Sequence, residues 1–196
     1  MMHLLFATQN KHKALEIQKM MPTGVVVKTL QDLNCDDDIP ETGDTLEENA
    51  LIKARYVYQK FGVNCFADDT GLEVEALNGR PGVLSARYAG EAKNAEDNMN
   101  LLLKELQNET NRNARFRTAI ALIIDGKEIL FEGIVNGIIL KEKTGTAGFG
   151  YDPIFKPNES ADSFAEMNLD DKNKISHRGR AIAKLVHYIE TSANRK

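Results

Sequence analysis

Residues 64 to 72 read NCFADDTGL, a short apolar run, Cys65-Phe66-Ala67, that stops at two adjacent carboxylates, Asp68 and Asp69, before Thr70-Gly71. Two negative charges a few ångströms apart repel one another. The pair is therefore either a solvated acidic turn or a place where a cation sits. Mg²⁺ takes hard oxygen ligands, commonly one or two carboxylates completed by substrate phosphates. Glu41, in the acidic loop PETGD, is a candidate third carboxylate. Asp36-Asp37-Asp38 reads as a solvated charge run.

Three other stretches carry residue types with chemistry to do. In ATQNKHK, Ala7 to Lys13, Thr8 closes a strand, Asn10 caps a helix, and Lys11 and Lys13 fall in that helix's first turn. Positive charge there opposes the helix dipole. An anion held by backbone N–H groups and Lys13 removes the mismatch; a solvated basic turn is the alternative. GxxxxGK[ST] is absent, so this is not a Walker A loop. In GFGYDP, Gly148 and Gly150 permit close backbone approach, while Phe149 and Tyr151 either stack on a base or plug the core. In ISHRGRA, Ser176 caps a helix beside His177 and Arg178. Arginine has donors and no acceptor, so it welcomes a carbonyl on a base edge and rejects an amino group; a surface arginine is the bland alternative. Arg87 and Lys172 are further basic candidates.

The elements that position these residues alternate at first. An apolar run from His3 to Thr8 has strand character, and Ala14, Leu15, Ile17 and Met21 give a helix an apolar face. Val25-Val26-Val27 is a β-branched strand. Asp44 or Thr45, with Glu47 or Glu48 three residues on, opens a second helix that stops at Gly62. The strand ending at Asp68-Asp69 follows, then a helix from about Asn94 to Leu106. Residues 114–124 and 127–140 form two long strands turning at Asp125-Gly126. A last helix begins near Ser176 and turns Ile182, Leu185, Val186 and Ile189 inward. The hairpin demands antiparallel pairing, so the class is α/β with a long mixed sheet and flanking helices.

With 196 residues, residues 1–196 are read as a single domain able to bury a substantial core. The net charge of −4, with no extended basic stretch, argues against a nucleic-acid partner. Cys35 and Cys65 form no CxxC pair and read as buried thiols of a reducing cytoplasm. No apolar run is long enough for a signal peptide or a membrane span, so the expected location is cytoplasmic, with no membrane partner.

Taken in order, TQNKHK, PETGDTLEENALIKA, FADDTGLEVEALNGRPGVLSARYAG, GFGYDPIF and SHRGRA resemble the blocks of the inosine/xanthosine triphosphate pyrophosphatase family over about 180 residues. The resemblance implies a sheet dividing the protein into two lobes around a central cleft, and a homodimer. It implies Mg²⁺-dependent hydrolysis of ITP, dITP or XTP to the nucleoside monophosphate and pyrophosphate, which cleanses the nucleotide pool. Residue by residue, it gives Thr8, Gln9, Asn10, Lys11, His12 and Lys13 to the triphosphate, and Lys13 also to catalysis. Asp69 becomes proton acceptor and metal ligand, with Glu41 the other metal-side carboxylate. Thr70 touches substrate where many relatives have Ser. Phe149, Gly150, Tyr151 and Asp152 hold the nucleoside, Phe149 by stacking, and Lys172, His177 and Arg178 reach the base edge. Asp68 is offered as a neighbour of the base and a candidate second metal ligand.

Overall fold

The computed structural model describes residues 2–193, without the side chains of Lys11 and Ala193. Strand β1 (Met2–Phe6), helix α1 (Lys11–Met20) and strand β2 (Val25–Thr29) make a parallel βαβ unit, with Met2 opposite Val25 and Phe6 opposite Thr29. Helix α2 (Leu46–Phe61) leads into β3 (Cys65–Val74), parallel to β1 through Leu5–Cys65 and Phe6–Phe66. The two-residue β4 (Pro81–Gly82) lies antiparallel on β3. Helix α3 (Ala95–Glu105) precedes the hairpin of β5 (Asn113–Ile124) and β6 (Lys127–Ile139). Its turn residues, Asp125 and Gly126, take φ of 50° and 76°, the left-handed pair that matches strand twist. Strand β7 (Phe155–Pro157) is antiparallel to β6, and helices α4 (Leu169–Ile175) and α5 (His177–Ala193) close the described chain. The sheet order is β2-β1-β3-β5-β6-β7, with β4 on β3, so the mixed α/β class is observed.

Local chemistry explains the helix starts. Asn10 Oδ1 accepts from the N–H groups of His12 and Lys13 and opens α1. Thr45 Oγ1 accepts from Glu48 N–H, while the Glu48 carboxylate accepts from Asp44 N–H, a capping box closed one residue early. Gly62, at φ 64°, ends α2 by donating to the Tyr58 carbonyl.

Contacts divide the chain into two compact units. The first comprises Met1–Asp69, Thr118–Gly133 and Arg178–Lys196; the second comprises Thr70–Arg117 and Ile134–His177. In the first, Leu4, Phe6, Ile17, Phe66, Ile120, Ile182 and Leu185 form the core, with Phe6 and Phe66 stacked at 4.6 Å and 6°. In the second, Leu72, Val74, Leu102, Phe116, Phe155 and Phe164 are central, and Phe116 meets Phe155 edge-on at 4.7 Å. Among the described residues no helix is long and apolar enough to cross a membrane.

Three expectations need correction. Strand β3 does not end at Asp68-Asp69 but runs on to Val74, because Leu72 and Val74 supply buried apolar positions beyond the acids. Leu15 is 58% exposed, whereas its neighbour Glu16 is buried, since an ion pair inside the unit draws Glu16 inward. Helix α4 precedes the expected last helix; its seven mostly polar residues show no apolar period, and extended Ser176 separates it from α5. Replacing Phe66 by alanine removes one stacked ring from the first core and should cost about 3–5 kcal/mol in urea unfolding.

Candidate active site

In the first unit the buried carboxylate of Asp68, 1% exposed, is surrounded by cations. Its Oδ1 accepts from Lys13 Nζ at 3.0 Å and its Oδ2 from Arg178 Nε at 3.3 Å. Arg178 Nη1 donates in turn to Glu16 Oε2 at 2.6 Å. Burial opposes the charged form of Asp68, but Lys13, Arg178 and Lys53 outweigh it and hold the carboxyl at about 2. Burial also pushes the Lys13 ammonium below its ordinary value, against the pull of Asp68. An isolated buried charge is expensive; a set of acids and bases that complete one another's hydrogen bonds is tolerated.

The neighbouring Asp69 is built differently. Its Oδ1 lies 3.4 Å from Lys53 Nζ, which donates to Glu41 Oε1 at 2.5 Å. Its Oδ2 accepts from Asn49 Nδ2 at 3.2 Å, and Asn49 Oδ1 accepts from Gly43 N–H at 2.8 Å. Burial raises the Asp69 carboxyl above its ordinary value; Glu41 and Asp68 add to that, and Lys53 and Lys13 only partly offset it. On Lys53 the balance is reversed: burial disfavours its charge, but Asp69, Glu41 and Asp68 raise its pKa. Adjacent residues of one strand thus differ in character. Asp68 is a stronger acid than usual and Asp69 a weaker one.

The donors of Glu41 and Asp69 fit a divalent cation. Both reach the same Lys53 ammonium, so two carboxylates already close around one positive charge. Among the described residues no group of three or more His, Cys, Asp or Glu is placed to hold a metal alone. Few protein oxygens, completed by water and phosphate, is the arrangement Mg²⁺ favours.

At the start of α1 the expected anion seat is narrower than the sequence suggests. Asn10 N–H donates to Thr8 Oγ1, and the N–H groups of His12 and Lys13 are taken by Asn10. Thr8 is buried, just past the end of β1, and Gln9 Nε2 donates to the Asp37 carbonyl at 2.9 Å. His12 is exposed; the Lys11 side chain lies outside the described residues. Asp37 is no idle surface charge, since Tyr56 and Lys60 both bond its carboxylate.

The second unit gathers the remaining predicted residues. Asp152 Oδ2 accepts from Phe149 N–H at 2.9 Å and from Lys172 Nζ at 2.8 Å. Lys172, almost fully buried, places its ammonium 4.9 Å from the Phe149 ring centre and 5.6 Å from that of Phe164. Gly148, at φ 75°, passes so close to Asp152 that a Cβ would strike Oδ2 at 2.2 Å. His177 stacks on Phe116 at 4.6 Å. Gly150 lies in the same turn, at φ 64°, and Thr70 follows Asp69 on β3. Tyr151 does not offer a ring face to a ligand. It is buried in the core, and its hydroxyl donates to the Ser85 carbonyl at 2.7 Å. Arg178, as buried as Lys172 and His177, is taken up by the first unit's ion-pair cluster.

Glu16, Asn49 and Lys53 were not singled out from the sequence. Their signal is polarity on a helix face that should be apolar. Asn49 and Lys53, four apart on α2, share the buried side with Ala50, Ala54 and Val57, and Glu16 adjoins buried Ile17 on α1.

The fold is that of the Ham1 proteins. A Staphylococcus aureus Ham1 protein superposes with a TM-score of 0.88 at 39% identity, covering 97% of this chain and 99% of that one. A Coxiella burnetii HAM1 protein gives 0.90 at 35% identity, covering 97% and 100%. A Flavobacterium johnsoniae protein named dITP/XTP pyrophosphatase is 58% identical over 185 residues, 94% of this chain and 96% of that one. The Ham1 family model matches residues 4–188, and the chain belongs to that family.

The Asp68 cluster makes a pH prediction. Its folded pKa of about 2 lies below its ordinary 3.8, so its stabilising contribution is complete above 3.8 and lost as pH falls towards about 2. Asp68→Asn takes the acid from Lys13 and leaves Arg178 with Glu16, and should cost about 3–5 kcal/mol at neutral pH. Urea midpoints should therefore fall less steeply in the variant than in the wild type across that acid window.

Proposed function

We propose that this protein hydrolyses nonstandard purine nucleoside triphosphates, ITP, dITP and XTP, to the nucleoside monophosphate and pyrophosphate, and so removes them from the cytoplasmic nucleotide pool. The observation that carries the proposal is Asp69: a buried carboxylate of raised pKa, held on Lys53 together with Glu41, in a chain 58% identical to a relative named dITP/XTP pyrophosphatase. Glu41 and Asp69 would hold Mg²⁺, which when bound supplies charge neutralisation and orientation of the triphosphate. Asp69 accepts a proton from water, and the oxygen of that water forms a bond to the α-phosphorus. The bond from the α-phosphorus to the bridging oxygen breaks, and pyrophosphate leaves with the electron pair. Raised basicity suits Asp69 to that task, while Asp68, held ionised near 2, is a poor base and a good anchor. Lys13 offsets charge on the phosphate oxygens as it develops, and Thr8 and Asn10 shape the turn that presents it. Thr70, Gln9, Lys11 and His12 serve as further substrate contacts.

Base recognition falls to the second unit's cluster. Phe149 stacks on the base, and Lys172 and His177 donate to its edge, with Asp152 orienting Lys172. An ammonium has donors only. A 6-oxo purine satisfies it, whereas the amino group of adenine leaves buried donors unmatched, a cost that supports strong discrimination. Arg178, engaged by Glu16 and Asp68, acts in this scheme by setting Asp68 and Lys13 rather than by touching the base. The active form is a homodimer of single-domain chains, with neither nucleic acid nor membrane as a partner.

The test is pyrophosphate release from a panel of nucleoside triphosphates with Mg²⁺. ITP, dITP and XTP should be turned over far faster than ATP, UTP or dTTP, and chelation of the metal should stop the reaction. Preference for a pyrimidine, or no pyrophosphate from any of them, would contradict the proposal. Asp69→Asn should lose about 10³-fold or more in kcat while its unfolding free energy stays within about 1 kcal/mol of wild type, because burial already disfavours the Asp69 charge and Lys53 keeps Glu41 as its partner.

A further inference from the structure

Asn49 stands on the first turns of α2, 1% exposed, with both ends of its carboxamide engaged. The Gly43 N–H can only donate, and it points at Asn49 from 2.8 Å. That forces the amide oxygen to face Gly43, and the NH₂ must then face Asp69 Oδ2, 3.2 Å away. The orientation of the amide is therefore set by its surroundings. One rigid group ties the loop that carries Glu41 to the carboxylate of Asp69.

The loop approaches closely enough for this strap to be tight. A Cβ on Gly43 would fall 2.6 Å from Glu48 Cβ, 2.9 Å from Asn49 Oδ1 and 3.1 Å from Asn49 N. Only glycine permits that approach, and Gly43 is two residues from Glu41. Asp69 is held at both oxygens, Oδ1 by Lys53 and Oδ2 by Asn49, so rotation of its carboxylate is blocked. Lys53 is a flexible chain that Glu41 and Asp69 share. The short, neutral asparagine supplies the fixed direction that a charged, mobile partner does not.

We infer that Asn49 is a positioning residue of the reaction proposed above: it fixes the orientation of Asp69 and its spacing from the Glu41 loop. The inference rests on that functional reading, with Asp69 as proton acceptor. Misplacing a reacting group by about 1 Å costs about 100-fold in rate. Asn49 itself touches neither water nor phosphate in this scheme.

Two substitutions separate positioning from support. Asn49→Asp keeps an acceptor for Gly43 N–H and replaces the neutral amide donor that faces Asp69 with a carboxyl oxygen; Asn49→Ala removes both. Each is assayed for pyrophosphate release from ITP with Mg²⁺, for urea stability without metal, and for amide exchange at Gly43. Asn49→Asp should keep Gly43 protected yet lose about 100-fold in kcat with KM within about threefold of wild type. Asn49→Ala should lose as much in kcat, at temperatures where it is fully folded, and open Gly43 to exchange. If Asn49→Asp is folded and turns over within threefold of wild type, Asn49 merely supports the loop and the inference is overturned. Should that variant fail to fold, Asn49→Ala decides, and a kcat within threefold of wild type overturns it equally. A wild type that releases no pyrophosphate overturns the functional reading and this inference with it. An active wild type beside unimpaired variants overturns the inference alone.

Discussion

Everything in the first unit depends on compensating two adjacent carboxylates inside the protein. Asp68 and Asp69 follow one another on β3, both buried, and their side chains leave the strand in opposite directions. Alternation hands each to a different set of partners. Asp68 meets Lys13 from α1 and Arg178 from α5, with Glu16 completing the guanidinium. Asp69 meets Lys53 and Asn49 from α2. Three helices are thereby tied to one strand by charge. Removing Asp68 takes from Lys13 and Arg178 an acid that offsets their charge in a medium that solvates ions poorly. Such a network adds little net stability over a hydrophobic replacement, so its presence here fits a chemical purpose better than a structural one.

The same compensation makes the two acids unequal. Asp68 has two strong cationic donors of its own, whereas Asp69 shares one lysine with Glu41 and otherwise accepts from a neutral amide. One carboxylate is an anchor that stays ionised. Its neighbour is held in place while remaining basic. Pairs of titratable groups pushed apart by their surroundings are how a single site assigns acid and base roles. In the second unit Lys172 repeats the principle, its buried ammonium held by Asp152 and flanked by two aromatic faces.

Much of this was legible in the residues. The cap at Asn10, the stop at Gly62 and the Asp125-Gly126 turn are local signals, and the elements begin and end where they indicate. The acidic pair stood out because two charges end an apolar run, Lys13 because positive charge opposes the helix dipole, and Glu41 because it sits in an acidic loop. What was hidden depends on tertiary contact. Periodicity placed Leu15 inside because it cannot know that Arg178, 162 positions away, waits for Glu16. Polarity on the helix face marks Asn49 and Lys53 but carries no local signal of their role, which depends on the buried acid of the strand they face. Tyr151 and Arg178 have the right chemistry for a base, but the core and the ion-pair cluster claim them first. Helix α4 has too few residues for any period to show.

The inequality of the two aspartates is measured most directly by carboxyl ¹³C NMR titration of the metal-free protein, with each resonance assigned by substitution. Asp68 should titrate near about 2, and Asp69 should titrate above the ordinary 3.8 of an aspartate. A single shared midpoint, or the reverse order with Asp69 the stronger acid, would contradict the assignment of anchor and base on which the account stands.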